Sequence, residues 1–266
     1  MMNKRKELML LACRAAIGGG LSTLVFEKKD HSVTLKSDMS PVTAADYESH
    51  ARIMEVLSGS GLPIVSEEGQ GFSYEERKDW DSFWLVDPLD GTKEFIKGNG
   101  EYSVNIALIE SDIPIIGVIY IPVKDLLFAA VGTEIYKLET ASKSIEDMSL
   151  ALDEFRLTPD VNKDYSRIRV LTSRSHISEA TKEYIRLLEE KYERVEIIPA
   201  GSALKFTLLA EGKADIYPRF GPTMEWDIAA GHVLLKAVGK NIYDYRSGRE
   251  HQYNKTSLKN DWFLAQ

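Results

Sequence analysis

Apolar residues recur at helical spacing from the start of the chain. Leu8, Leu11, Ala12 and Ala15 fall on one face of a helix predicted over 4–16. Gly18-Gly19-Gly20 follows without the preceding strand of a dinucleotide loop, and it reads as a turn. Thr43 is placed to cap a second helix over 44–57, which Gly59 and Gly61 end. The period then changes. Residues 83–86, 103–109, 115–121 and 126–131 read as strands, with Pro and Gly in the gaps, so a largely antiparallel sheet is predicted. Residues 140–166 are polar and weakly patterned. They mark the expected boundary between an N-terminal α+β lobe, 1–150, and a C-terminal α/β lobe, 151–266. In the second lobe, strands over 168–172, 195–198 and 215–218 alternate with helices over 178–192, 203–211 and 227–238.

Charge narrows the partners. The 266 residues carry 33 Lys and Arg against 41 Asp and Glu, a net charge of −8. Nucleic-acid polymers are disfavoured, because their binding relies on Lys and Arg neutralising phosphates. A small phosphorylated ligand remains open where a metal or a local basic cluster supplies positive charge. The single cysteine, Cys13, rules out an intramolecular disulfide and a Cys-rich zinc site. The first residues mix Lys4, Arg5, Lys6 and Glu7 with short apolar runs that Arg14 interrupts. Neither a transmembrane span nor a signal peptide is expected, and a reducing, cytoplasmic setting is the default.

The densest chemistry lies in Trp84-Leu85-Val86-Asp87-Pro88-Leu89-Asp90-Gly91-Thr92. An apolar strand runs into two carboxylates three residues apart, and Pro88 fixes the bend without contributing an N–H. Asp87, Asp90 and the Leu89 carbonyl can converge on one point as hard oxygen donors, which suits magnesium rather than zinc. Gly91 permits close backbone approach to a ligand, and a helix opening there would aim N–H groups at an anion. The competing reading is a plain β-turn. Ile64-Val65-Ser66 ends in Glu67-Glu68-Gly69; either glutamate can complete a metal site, or the segment is a solvated loop. Asp227 opens an apolar helix as a ligand, as an N-cap, or as both. The five histidines are scattered, and neither a Walker loop nor a Gly-x-Ser-x-Gly elbow is present.

Taken in order, these segments resemble the inositol monophosphatase superfamily of magnesium-dependent, lithium-sensitive phosphatases. Asp87-Pro88-Leu89-Asp90-Gly91-Thr92 is similar to its central motif and Trp226-Asp227-Ile228-Ala229-Ala230-Gly231 to its C-terminal one. Ser40-Pro41-Val42-Thr43-Ala44-Ala45-Asp46 matches an N-terminal motif, and Ser66-Glu67-Glu68 a fourth. Lys93-Glu94-Phe95-Ile96-Lys97, Asn99-Gly100-Glu101, Ser173-Arg174-Ser175-His176, Ser202-Ala203-Leu204-Lys205 and Tyr217-Pro218-Arg219 resemble the branch acting on nucleoside 3′,5′-bisphosphates.

The resemblance implies a layered α-β-α-β-α fold of two packed lobes with the site between them. It implies two or three Mg2+ ions held by Glu67, Asp87, the Leu89 carbonyl, Asp90 and Asp227. Choosing Glu67 over Glu68 follows the family alone. Asp46 and Thr92 would form the pair that helps a water lose its proton, and the Gly91 and Thr92 N–H groups would hold the scissile phosphate. His176, Ser202, Lys205 and Arg219 would bind the rest of a nucleotide beside Asp227. The implied reaction is conversion of adenosine 3′,5′-bisphosphate to AMP, with 3′-phosphoadenylyl sulfate as a further candidate. Inositol or another small metabolite phosphate is the alternative substrate. A non-catalytic nucleotide or metal sensor would require a missing ligand, and all are present. Monomer and homodimer both remain open, as does peripheral contact with the inner membrane face.

Overall fold

The computed structural model describes residues 4–26, 34–35, 41–160, 164, 166–174 and 177–266. Three positions named above, Ser40, Ser175 and His176, lie outside the described residues. In chain order the first elements are α1 (Lys4–Leu24), β1 (Thr34–Leu35), β2 (Pro41–Val42), α2 (Ala44–Leu57), β3 (Ile64–Ser66), α3 (Tyr74–Arg77), β4 (Ser82–Asp90) and α4 (Thr92–Ile96). Next come β5 (Ser103–Glu110), β6 (Ile113–Ile121), β7 (Leu126–Val131), β8 (Glu134–Glu139) and α5 (Ala141–Leu150). The chain finishes with β9 (Arg167–Ser173), α6 (Glu179–Glu189), β10 (Arg194–Ala200), α7 (Leu204–Ala210), β11 (Tyr217–Arg219), α8 (Glu225–Ala237), β12 (Ile242–Asp244) and β13 (Phe263–Ala265).

Strands β3 to β8 form a six-stranded sheet in sequential order, antiparallel except for the parallel β3–β4 pair. Both of its faces are covered. Trp84, Val86, Ile106 and Val118 pack against Met9, Cys13 and Ile53 of α1 and α2. Phe83, Leu85, Ile109 and Ile119 pack against Phe206 and Leu209 of α7 and Ala230 and Val233 of α8. Burial on both faces explains why these strands read as nearly continuous apolar runs rather than alternating ones. In the second sheet β10 pairs in parallel with β9, and β13 lies between β11 and β12. A bridge from Val170 to Ile216 joins the two parts. Ile185 and Leu188 of α6 cover its far side against Ile168 and Val170. The succession is helices, sheet, helices, sheet, helix, which is the expected layered α-β-α-β-α arrangement.

Three local readings change. The Gly18-Gly19-Gly20 run is not a turn but lies inside α1, which reaches Leu24. Glycine is present because neighbours crowd it: a Cβ at Gly19 would lie 2.7 Å from Ile53 Cγ1, and one at Gly20 would lie 2.5 Å from Tyr120 Cδ1. At 21 residues α1 has the length and composition to cross a membrane. Met9, Ala12, Cys13 and Ala16 are nonetheless fully buried, so its apolar face belongs to the core. The polar 140–166 stretch holds α5, which buries only Ala141, Ile145 and Met148 and leaves mostly polar residues outside. Strands β12 and β13, three residues each, have no periodic signature and exist through their antiparallel pairing.

The helix α8 crosses the first sheet at closest approach over Gly117 of β6. A Cβ there would stand 2.3 Å from the Ala230 carbonyl oxygen, a backbone atom that cannot swing aside. Gly117→Ala should therefore lower stability by about 1–3 kcal/mol in chemical unfolding. Gly18 has nothing within 4 Å of its Cβ direction, so Gly18→Ala should instead gain up to about 1 kcal/mol from helix propensity. Equal effects of the two substitutions would refute the packing account.

Candidate active site

Strand β4 carries the chain to the centre of the site. Its pairing with β5 runs in register to Asp87↔Asn105 and resumes, after an irregularity, at Asp90↔Ser103. Pro88 sits in that irregularity, and Ser49 of α2 donates its hydroxyl to the Pro88 carbonyl at 2.7 Å. The Leu89 N–H donates to Asp87 Oδ1 at 3.0 Å. Parallel pairing of β3 with β4 sets Glu67 beside Asp87, and the Glu67 N–H donates to the Val86 carbonyl at 3.1 Å. Asp227 arrives from the other half of the chain, in the first turn of α8. It is not the N-cap. It lies three residues after Met224 and accepts the Met224 N–H on Oδ2 at 2.9 Å, so the carboxylate caps from within the helix.

Ligand oxygens of Glu67, Asp87 and Asp227 lie within 4.8 Å of one another. The geometry thus brings Glu67, of the two adjacent glutamates, into this group. Asp90 flanks it, and its Oδ2 accepts the Ser202 hydroxyl at 2.7 Å and Asn105 Nδ2 at 3.3 Å. Burial, followed by the charges of Glu67, Asp90 and Asp227, pushes the Asp87 carboxyl well above its usual range. Burial and the Asp90 charge do the same to Asp227. Acids this close cannot all ionise without a compensating cation. The donor set is oxygen only, partly buried and short of positive charge, which fits a hard divalent ion and suits neither zinc nor a soft metal.

Asp46 is fixed by the capping box of α2. Its Oδ2 accepts both the Thr43 N–H and the Thr43 hydroxyl at 2.7 Å, and the side chain is buried. Its Oδ1 accepts the Thr92 hydroxyl at 3.2 Å. The Leu89 carbonyl stands 3.4 Å from the same hydroxyl. Gly91, at φ 91°, makes the left-handed step into α4, whose first residue is Thr92. The expected pair of Asp46 and Thr92 is thus adjacent to the acidic group.

A cleft of about 300 Å³ holds the acidic group with Leu89, Gly91, Thr92 and Arg219. It opens into a larger one of about 510 Å³ that shares Asp90, Gly91, Arg219 and Asp227 and adds Ser202, Lys205 and Tyr217. Lys205 Nζ donates to the Ser202 carbonyl at 2.6 Å and the Ala200 carbonyl at 3.2 Å and lies 5.2 Å from the Tyr217 ring centroid. Burial brings its pKa down to about 8, against an opposing pull from Asp90. Arg219 Nη2 donates to the Pro222 carbonyl at 2.9 Å. Its Nε is buried with no hydrogen-bond partner among the described residues.

Ser202 departs from expectation. Three apart in sequence, Ser202 and Lys205 would share one face of a helix that held both, but α7 begins only at Leu204. Ser202 has φ 49° in the preceding turn, and its hydroxyl meets Asp90 and Ser103 Oγ, each at 2.7 Å. Three neighbours of the site were missed: Ser103, Asn105, and Trp226, whose Nε1 donates to Glu67 Oε2 at 3.1 Å. The available signal was polar residues inside an apolar strand, since Ser103 and Asn105 are completely buried in β5.

Known proteins share this arrangement of chain. The inositol monophosphatase family matches residues 4–263. The 3′(2′),5′-bisphosphate nucleotidase CysQ of Shigella flexneri is 42% identical over 220 residues, 82% of each chain. CysQ of Buchnera aphidicola is 40% identical over 266 residues, covering 98% of this chain and 94% of its own. The crystal structure of CysQ from Bacteroides thetaiotaomicron superposes with a TM-score of 0.85 at 41% identity, over 98% of this chain and 97% of that one. With family, relatives and fold in agreement over nearly the full length, the protein belongs to the inositol monophosphatase family of metal-dependent phosphatases.

Proposed function

We propose that the protein is a magnesium-dependent 3′(2′),5′-bisphosphate nucleotidase that removes the 3′-phosphate of adenosine 3′,5′-bisphosphate to leave AMP. The observation that carries this reading is a cleft lined by Lys205 and Arg219 that is continuous with the acidic one. Lys205 and Arg219 line the space beside the carboxylate group. One phosphate can meet the metals while a second is retained by cations. A substrate with a single phosphate would leave that second provision unused. The nucleotidase names of the relatives at 40–42% identity support the same choice.

Two or three magnesium ions held by Glu67, Asp87, the Leu89 carbonyl, Asp90 and Asp227 would supply positive charge to the scissile phosphate and acidify a water. The chain supplies positioning. Thr92 Oγ1, with its proton directed to Asp46 Oδ1, can take up a proton from the attacking water as its own passes to Asp46. Asp46 stays oriented because Thr43 occupies its other oxygen. The N–H groups of Gly91 and Thr92, at the start of α4, would hold the scissile phosphate oxygens. Lys205 and Arg219 would hold the 5′-phosphate, so phosphoryl transfer is governed by orientation and charge.

Phosphate release from adenosine 3′,5′-bisphosphate and from inositol 1-phosphate, each with and without magnesium, tests the reading. Preference for the nucleotide is expected, and preference for the inositol ester would overturn it. Asp87→Asn should lower turnover by roughly a thousandfold and abolish the rise in Tm that magnesium gives the wild type. Near-normal turnover of this variant at limiting magnesium would remove Asp87 from the ligand set.

Lys205 also dictates a pH profile. Its depressed pKa means that the ammonium is charged below about pH 8 and neutral above it. Since kcat/KM reports ionisations of the free enzyme, kcat/KM for the bisphosphate should fall about tenfold per pH unit above that value. The inositol ester, with no second phosphate, should not follow. Lys205→Arg should remove the alkaline fall, and its persistence in that variant would assign the titration elsewhere.

A further inference from the structure

The segments 99–101 and 173–174 have no role in the mechanism above, yet the structure joins them. Glu101, between α4 and β5, accepts Arg174 Nε on Oε2 at 2.7 Å and Arg174 Nη2 on Oε1 at 2.6 Å. The same Oε2 accepts the Gly201 N–H at 2.8 Å. Arg174 Nη2 also donates to the Pro199 carbonyl at 3.0 Å. The stretch 199–202, the end of β10 and the start of the turn after it, is therefore gripped near both ends from outside. Lys205 grips it from inside, through the Ala200 and Ser202 carbonyls. A Cβ at Gly201 would lie 2.8 Å from the Glu101 carbonyl oxygen, so the two backbones touch. Within this turn Ser202 has φ 49°. A residue with a Cβ keeps that conformation only where its surroundings over-determine it.

We propose that Glu101 is a positioning residue: through Arg174 and Gly201 it holds the end of β10 and the turn after it so that Lys205 faces the retained phosphate, and it thereby sets the preference for bisphosphates over simple monoesters. The inference rests on the reading of Lys205 given above. Lys205 takes its direction from two carbonyls of the turn. Loss of the clasp lets Ser202 relax to negative φ, which rotates those carbonyls and the ammonium with them. The hydroxyl that Ser202 gives to Asp90 moves in the same step. Both clasp side chains reach the surface, at 19% and 43% exposure, so truncating them opens no hole in the core.

The test compares kcat/KM on adenosine 3′,5′-bisphosphate and on a small aryl phosphate, with magnesium, for the wild type, Glu101→Ala, Arg174→Ala and the double variant. Each single variant should lower the ratio of the two about tenfold, the scale of losing one charge-assisted contact. The double variant should fall no further, because the two residues act as one unit. Glu101→Gln, which keeps an acceptor for the Gly201 N–H and loses the ion pair, should fall between. Calorimetric binding of AMP, which carries the retained phosphate, should weaken by the same factor. A merely structural clasp would lower both substrates equally and leave the ratio unmoved, and that result would overturn the inference. Unaltered AMP binding would overturn it too. A wild type active on the aryl phosphate and inert on the bisphosphate would overturn the nucleotidase reading, and this inference with it.

Discussion

Mutual repulsion among Glu67, Asp87, Asp90 and Asp227 is the constraint on which the rest of this structure depends. Four carboxylates that share a small, partly dry volume separate unless the fold holds them, and each is held by a donor on one oxygen. Leu89 N–H fixes Asp87, Met224 N–H fixes Asp227, Trp226 Nε1 fixes Glu67, and Ser202 with Asn105 fixes Asp90. Two of these donors are backbone groups, whose positions follow from the strand irregularity and the helix start rather than from a rotamer. The orientation thus costs little further entropy when a cation arrives. Burial first, and this repulsion after it, raise the pKa values of Asp87 and Asp227.

An opposite strain sits a few ångströms away. Lys205 is buried among backbone carbonyls and an aromatic ring, with its pKa brought down to about 8. Each cluster is uncomfortable alone, and under the function proposed above cations would relieve the carboxylates and a phosphate the lysine. This explains how a chain of net charge −8 can take a polyanion without a basic surface. Lys205 and Arg219 bring two positive charges to the lining of one cleft, where a dielectric below that of water strengthens each interaction.

Local physics was legible in the sequence. Thr43 before an apolar-periodic run let the cap and the bounds of α2 be read directly, while its box with Asp46 shows only in the structure. The Asp87-to-Thr92 segment could be read because an apolar strand ending in acids, Pro and Gly has few other uses. What failed to show was set by distant contacts. Gly19 and Gly20 look like turn residues until Ile53 and Tyr120 are seen against them. Ser202 looks like a helix cap until Asp90 and Ser103 are seen to hold its hydroxyl outside the helix. Strands β12 and β13 are pairing partners before they are patterns. Assigning roles to Lys205 and Arg219 needed the family resemblance, because a buried lysine and a strand-end arginine have no sequence signature of their own.

Those distant contacts also tie the site to folding. Asp46 and Asp227 are 181 positions apart in the chain, and Asp227 enters the site only when α8 lies across the first sheet over Gly117. The acidic group therefore exists as a group only in the packed molecule. A cation that binds it binds the folded state and scarcely the unfolded one, so its binding free energy adds to folding stability. The charge repulsion that opposes assembly without metal becomes, with metal, a reason for the two halves to stay together. Under the proposed ligand set, the same carboxylates would oppose assembly without metal and favour it with metal, while the donors on each of them hold their orientation.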